Sequence, residues 1–149
     1  MTRTATAQKD SVRFVALARA LLEDGRAVRF RAHGWSMHPA IDDGEAITVE
    51  PVRLAHVKVG DVLLCRRGHG VTAHRVIGID TSAEPRRLVL RGDAAAGPDK
   101  PIGDDDVLGR VVSVERDGRT VRVSRSWRAA RAFATAQSTV RGIVRRIPR

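Results

Sequence analysis

Cysteine and aromatic residues are scarce in this 149-residue chain. A single cysteine, Cys65, excludes an internal disulfide, so nothing in the sequence requires an oxidising compartment. Cys65 lies in the apolar run DVLLCR, a setting typical of a buried structural thiol. Aromatic residues make up only 3% of the chain, so the core must be built from Val, Leu, Ile and Ala.

Long apolar runs are also missing. The longest stretch without Asp, Glu, Lys or Arg is AHGWSMHPAI, well short of the roughly 18 to 20 apolar residues of a membrane-spanning helix. The N-terminal MTRTATAQKD has no apolar core of a secretory signal. We therefore expect a cytoplasmic protein without a transmembrane segment, unless a partner anchors it.

Acidic residues are absent from residues 119–149, which contain nine Arg. Residues 1–118 carry the other 18 basic residues against 17 acidic ones, so the formal net charge of +10 belongs almost entirely to the tail. This pattern predicts a contact made by the tail alone, with an anionic membrane surface or an acidic partner. Nucleic acid is the weaker alternative, because the tail has one Trp, one Phe and no recognised nucleic-acid-binding motif.

Three segments are predicted: a flexible arm over 1–9, a domain over 10–124 that opens with a helix, and a basic amphipathic C-terminal helix over 125–149. The first helix is DSVRFVALARALLEDG, capped by Asp10 or Ser11 and ended by Gly25. Its predicted apolar stripe is Phe14, Leu17, Ala18, Leu21 and Leu22. The C-terminal helix either packs on its own domain or lies peripherally on a membrane or partner.

Short Val-rich runs separated by Gly, Pro or Asp turns fill the segment between the helices. They are AVRFRA, AITVE, DVLLCR, VTAHRVIGI, RLVLR, VLGRVVSVE and RTVRVS. Asp117-Gly118 in ERDGRT is a clear hairpin signal. Strands with little helix between them predict a mainly β fold with a partly closed antiparallel sheet.

The segment HGWSMHPAIDDGE places Ser36 beside a Trp in a chain with few aromatics. Ser36 is either an ordinary loop serine or a nucleophile, and a nucleophile needs a base. Of the five His residues, only His74 lies within a strand pattern, where a rigid element could hold it in position. Trp35 is interpreted as a packing residue beside the serine.

A third candidate group follows in RGDAAAGPDKPIGDDD. Asp93 or Asp99 could accept a hydrogen bond from the far nitrogen of His74 and fix its tautomer. The alternatives are a solvated acidic loop, preferred for Asp104, Asp105 and Asp106, or a metal site. No His or Cys accompanies these carboxylates at ligand spacing, so neither a metal nor a cofactor is expected.

Five segments in order resemble the signal peptidase I / LexA-like serine peptidase superfamily: GWSMHPAIDDGE, VKVGDVLLCR, VTAHRVIGI, LRGDAAAGPD and VLGRVVSVE. The resemblance covers residues 28–115; each segment is weak alone, whereas the ordered set is specific. Bacterial signal peptidases and LexA use Lys as the general base, and the archaeal and endoplasmic-reticulum type uses His. With His74 in that place, the chain resembles the His-bearing branch.

The resemblance implies that Ser36 is the nucleophile, that His74 is the base, and that Asp99 or Asp93 orients His74. It also implies an oxyanion bound by the backbone N–H of Ser36. Gly34 supplies no hydroxyl two residues before the serine, so a side-chain donor is not expected there.

The implied fold is the LexA/signal-peptidase-like, partly closed antiparallel β fold. Gly34, Met37 and Pro39 are implied to lie at the substrate groove, where an extended peptide adds as a strand. The expected activity is that of a soluble serine endopeptidase that cuts after small residues, as in Ala-x-Ala. The alternative on the same fold is a peptide-binding module with weak or no turnover.

Three departures from the family pattern stand out. The transmembrane anchor of signal peptidases is missing, and 35 residues before Ser36 are too few for the DNA-binding domain of LexA plus a cleavage segment. Ala94 and Ala95 replace residues that are commonly polar, which predicts a looser orientation of His74.

Overall fold

A computed structural model of the chain describes the backbone of residues 2–126 and the side chains of residues 8–126. The C-terminal helix predicted over 125–149 lies outside the described residues, apart from its first two positions.

The N-terminal helix, α1, spans Thr2–Glu23 and is longer than predicted. Residues 2–9, predicted to form a flexible arm, belong to the helix, and none of them is a Gly or Pro that would interrupt it. The predicted end is confirmed, because Gly25 adopts a φ of 79° and its N–H bonds to the carbonyl of Leu22.

One face of α1 packs on the sheet. Ala18 and Leu22 are buried, and Phe14 and Val15 are partly buried beside them. The prediction that Leu17 belongs to this face is wrong, since its side chain is 60% exposed. At 100° per residue Leu17 projects away from the line through Ala18 and Leu22.

Seven strands follow and form one sheet in which every pairing is antiparallel. The mainly β class with an N-terminal helix is therefore confirmed, and each predicted run overlaps one strand. The strands are β1 (Val28–Arg31), β2 (Ala46–Glu50), β3 (Val62–Arg67), β4 (Gly70–Asp80), β5 (Arg87–Arg91), β6 (Val107–Arg116) and β7 (Arg119–Arg122).

The strand order is β1-β2-β6-β3-β4-β5, with β7 also paired to β6. Strand β6 is central: one edge pairs with β2, and the other pairs with β3 through residues 107–110 and with β7 through 113–116. The β6–β7 hairpin turns at Asp117 and Gly118, whose φ values of 50° and 72° confirm the predicted turn.

Among the strand edges that have no strand partner within residues 2–126, those of β1 and β4 lie on the side of the sheet that carries His74. Strand β1 pairs only with β2. Strand β4 pairs with β3 through residues 70–75, but its other edge pairs with β5 only from Arg75 onward. The edge of β4 ahead of Arg75 therefore has no strand partner.

Two apolar clusters form the core. The larger lies between α1 and the sheet, and the smaller lies around β3, β4 and β5. Cys65 belongs to the smaller cluster, as its apolar run predicted. Burial raises the pKa of the Cys65 thiol to about 12, and the nearby Asp106 carboxylate adds to the rise.

Candidate active site

Ser36 lies in the loop between β1 and β2, and this loop is held by its own backbone. The N–H of His38 bonds to the carbonyl of Trp35 at 3.1 Å, and the N–H of Ile41 bonds to that of Met37 at 3.0 Å. Gly34 enters the turn with a φ of 97°, a conformation that favours glycine. The Ser36 side chain is left exposed at the surface.

His74 lies in β4 and is 7% exposed. Its Nε2 is 3.0 Å from Oγ of Ser36, and its Nδ1 is hydrogen-bonded to Oδ2 of Asp99. The predicted hydrogen-bonded line of serine, histidine and one aspartate is therefore confirmed as geometry. An acceptor at Nδ1 keeps the proton of a neutral imidazole there and leaves the Nε2 lone pair for the Ser36 hydroxyl.

Asp99 is the aspartate that reaches His74. The sequence could not separate it from Asp93, and the loop after β5 explains the outcome. The N–H of Asp99 bonds to the carbonyl of Leu90 at 2.7 Å, which folds the loop back along β5 and brings the carboxylate to β4.

Asp93 instead pairs with the next residue of β4, Arg75. The Nε and Nη2 atoms of Arg75 donate to the two carboxylate oxygens at 2.8 and 2.7 Å, and both side chains are buried. Nη1 of Arg75 also donates to the carbonyls of Gly60 and Ser124. The interpretation of Asp93 as an orienting acid is thus replaced by a structural ion pair one residue beyond the site.

Gly92 is a site residue to which the sequence assigned no role. A Cβ built on it would lie 2.5 Å from the carbonyl oxygen of Ser36 and 3.1 Å from Nε2 of His74. The same segment holds the loop that carries Ser36, because the N–H of Ala94 bonds to the Ser36 carbonyl at 2.9 Å. The role of Gly92 follows from the close approach of residues 92–94 to the backbone of Ser36. The LRGD pattern alone could not have indicated it.

Arg67, at the end of β3, was also missed. Its Nη2 lies 3.3 Å from Oδ2 of Asp99, the same oxygen that binds His74. Asp99 is thus held between an imidazole and a guanidinium. No spacing signal in RRGHG distinguishes Arg67 from an ordinary hairpin arginine.

The acidic turn that follows Ser36 is held in place by an arginine of β6. Arg116 of β6 donates to both oxygens of Glu45 at 2.6 and 2.8 Å and to the carbonyl of Pro39 at 3.1 Å. The hydrogen bond to Glu45 raises the pKa of the Arg116 guanidinium above its ordinary value. This pairing ties the loop that carries Ser36 to strand β6.

A cavity of about 410 Å³ opens beside Ser36 and His74. Gly34 and Met37 line it, as predicted for groove residues, and Met37 is also 4% exposed in the larger core cluster. Pro39 is not among the lining residues; it lies in the turn behind the serine, with its carbonyl bound to Arg116.

Trp35 does not pack as predicted. Its side chain is 65% exposed, and its nearest ring partner is His38, in an edge contact with centroids 6.3 Å apart.

Within the described part of the chain, no three His, Cys, Asp or Glu side chains converge in a way that could hold a metal ion. Among residues 2–126, the backbone N–H of Ser36 makes no hydrogen bond to another protein group.

No protein-family model matches this chain, and no curated protein matches it either. Over residues 2–126 the structure contains no helix with both the length and the apolar character to cross a bilayer.

Proposed function

We propose that this protein is a serine endopeptidase that cleaves an extended peptide through an acyl-enzyme. The observation that carries the proposal is the line from Ser36 Oγ to His74 Nε2, at 3.0 Å, and from His74 Nδ1 to Asp99. A serine, a base and an orienting acid in hydrogen-bond contact are the parts that nucleophilic catalysis requires.

In the proposed reaction, Ser36 Oγ attacks the scissile carbonyl carbon while its proton passes to Nε2 of His74. Asp99 stabilises the imidazolium that forms, and the Ser36 N–H binds the oxyanion. His74 then protonates the leaving amine as the C–N bond breaks. A water molecule, deprotonated by His74, hydrolyses the ester and regenerates the serine.

The open strand edges support an extended substrate. Residues 31–34, at and after the end of β1, and residues 71–74 of β4 line the cavity that borders Ser36. A peptide entering between them could hydrogen-bond to unpaired backbone groups and add a strand to the sheet. A LexA/signal-peptidase-like fold is the finer form of the same proposal.

The test is an unbiased search for cleavage. A mixture of peptides from a digested proteome is incubated with the full chain, and new termini are identified by mass spectrometry. Wild type and the Ser82→Ala control, altered at a serine outside the site, should generate the same termini. Ser36→Ala and His74→Ala should generate none of them.

The same experiment distinguishes a peptidase from the alternative on this fold, a peptide-binding module with weak or no turnover. A peptide-binding module would retain peptides on the immobilised protein without producing termini that depend on Ser36. If wild type and Ser36→Ala give identical peptide sets, the peptidase proposal is wrong.

A further inference from the structure

The cavity beside Ser36 is apolar in its interior. Ile41, Ile47 and Leu64 form part of its lining, and all three belong to the larger core cluster. Two phenylalanines, Phe14 of α1 and Phe30 of β1, line it as well. A substrate group that enters loses its water, so a charged group is disfavoured and an apolar one is favoured.

The ionisable lining residues other than His74 are tied to the neighbouring turn. Nη1 of Arg31 donates to the carbonyl of Gly44 at 2.9 Å, and Nδ1 of His33 lies 3.8 Å from Oδ1 of Asp43. Both side chains are exposed. They mark the rim of the cavity rather than its floor.

Phe14 is fixed in position by the rest of α1. Ala18 and Leu22, one and two turns further along the helix, are buried in the core, so the helix cannot rotate freely. The ring of Phe14 meets that of Phe30 edge-to-face, with centroids 4.8 Å apart and planes at 70°. The aromatic pair is thus a rigid part of the cavity wall.

The cavity volume of about 410 Å³ falls in the range of clefts that hold small-molecule ligands, roughly 300 to 1,000 Å³. It is far more space than a methyl side chain occupies. The resemblance implies a small residue before the cut, whereas this space fits a larger one.

We propose, on the basis of the proposed peptidase activity, that the subsite next to Ser36 takes a large uncharged side chain such as Leu, Met or Phe. Phe14 of α1 limits its size. The N-terminal helix is then a specificity element of the enzyme as well as part of its core. Phe14 touches the substrate side chain and takes no part in the bond-breaking steps.

The test uses the termini from the peptide-mixture experiment. Cuts by wild type should follow Leu, Met or Phe, and cuts after Asp, Glu, Lys or Arg should be absent. A matched pair of peptides with Leu or Ala before the cut should differ in kcat/KM by roughly 10- to 100-fold in favour of Leu.

Three full-length variants locate the determinant. Phe14→Ala and the milder Phe14→Leu widen the cavity, so each should raise the Phe-to-Leu ratio of kcat/KM by about 5-fold or more. Leu17→Ala, on the exposed side of the same helix, should leave the ratio unchanged. Circular dichroism checks that each variant is folded. If Phe14→Ala does not fold, Phe14→Leu still provides the test.

The failures are distinguishable. Ser36-dependent cuts that follow mainly Ala, Gly or Ser would overturn this inference and leave the peptidase proposal standing. A preference for Leu that both Phe14 variants leave unchanged would overturn the role of Phe14. A lack of any Ser36-dependent cut would overturn the peptidase proposal and this inference together.

Discussion

At the scale of single residues, the arrangement of Ser36 and His74 depends on the absence of a Cβ atom at Gly92. Its requirement is steric, because a methyl group would collide with the Ser36 carbonyl and approach the His74 ring. The neighbouring Ala94 N–H holds that same carbonyl. Any side chain at position 92 must therefore displace Ser36 or His74.

We expect Gly92→Ala to lower kcat/KM by roughly 100-fold or more, because misplacement of reacting groups by about 1 Å can cost that factor. Gly97→Ala is the matched control from the same loop, since a Cβ there would meet no atom within 4 Å. Kinetics on a peptide from the cleavage screen provide the measurement. Equal losses in both variants would show that the whole loop is sensitive, contrary to the steric argument.

Asp99→Asn should lower kcat by roughly 10² to 10⁴, because an amide in place of the carboxylate loses the charge that stabilises the imidazolium and fixes the tautomer. Single-turnover kinetics can separate this loss from substrate binding. Lys100→Ala, which alters the adjacent side chain, is the comparison variant. Full activity of Asp99→Asn would mean that His74 needs no orienting acid.

Cys65 should be unreactive in the folded protein. Its pKa of about 12 leaves almost no thiolate at pH 8, and the side chain is buried. A disulfide reagent should therefore titrate no thiol in native buffer and one thiol in guanidinium chloride. Rapid reaction under native conditions would contradict the burial of this strand.

Ser36 and His74 could be found from the sequence because the first lies in a marked turn and the second lies in a strand pattern. Asp99 could be named but not ranked above Asp93, since both follow β5 within a few residues. Arg67 and Gly92 act through contacts between distant segments, which no local spacing shows.

At the scale of elements, the strands were predictable because their signals are local. The predicted AITVE and RLVLR coincide with β2 and β5, and the Asp-Gly turn places the β6–β7 hairpin. The strand order was not predictable, because β6 pairs with β2 and β3 through long-range contacts. The start of α1 was also missed, since Ala- and Thr-rich residues resemble an unstructured arm as much as a helix.

The Arg75–Asp93 pair links β4 to the end of β5 in a buried setting. Asp93→Ala leaves the Arg75 charge buried with only carbonyl partners, so we expect the free energy of unfolding to fall by about 3 to 5 kcal/mol. Urea denaturation followed by circular dichroism measures it. Glu115→Gln breaks the exposed pair with Arg29 and should cost no more than about 1 kcal/mol.

At the scale of the whole molecule, the charge is distributed unevenly. Nine Arg and no acidic residue lie in residues 119–149, and the predicted C-terminal helix within this segment is outside the described residues. The body is nearly neutral by formal count. Attraction to an anionic surface should therefore depend on the tail and weaken with salt.

We expect the full chain to co-sediment with phosphatidylserine-containing vesicles at low salt and to be released as salt is added. Replacing Arg141, Arg145 and Arg146 by Gln should weaken binding by about 1 kcal/mol for each charge that contacts the surface. Vesicles of phosphatidylcholine alone are the control. If the charge-reduced variant binds as well as wild type, the tail is not the membrane contact.

The hydrogen-bonded line from Ser36 through His74 to Asp99 also has a consequence for the order of events in folding. Its members are separated by 38 and 25 positions in the chain and come from three different segments. In a partly folded chain, β4 can be formed while the loop that carries Ser36 and the segment after β5 are still apart from it. Such a chain has no serine aligned with His74 and Asp99. Long-range contacts of this kind form late, because loop closure precedes the contacts that reward it. A newly made molecule would thus align Ser36, His74 and Asp99 only when folding is nearly complete, and the proposed peptidase activity would be lost as soon as those segments separate.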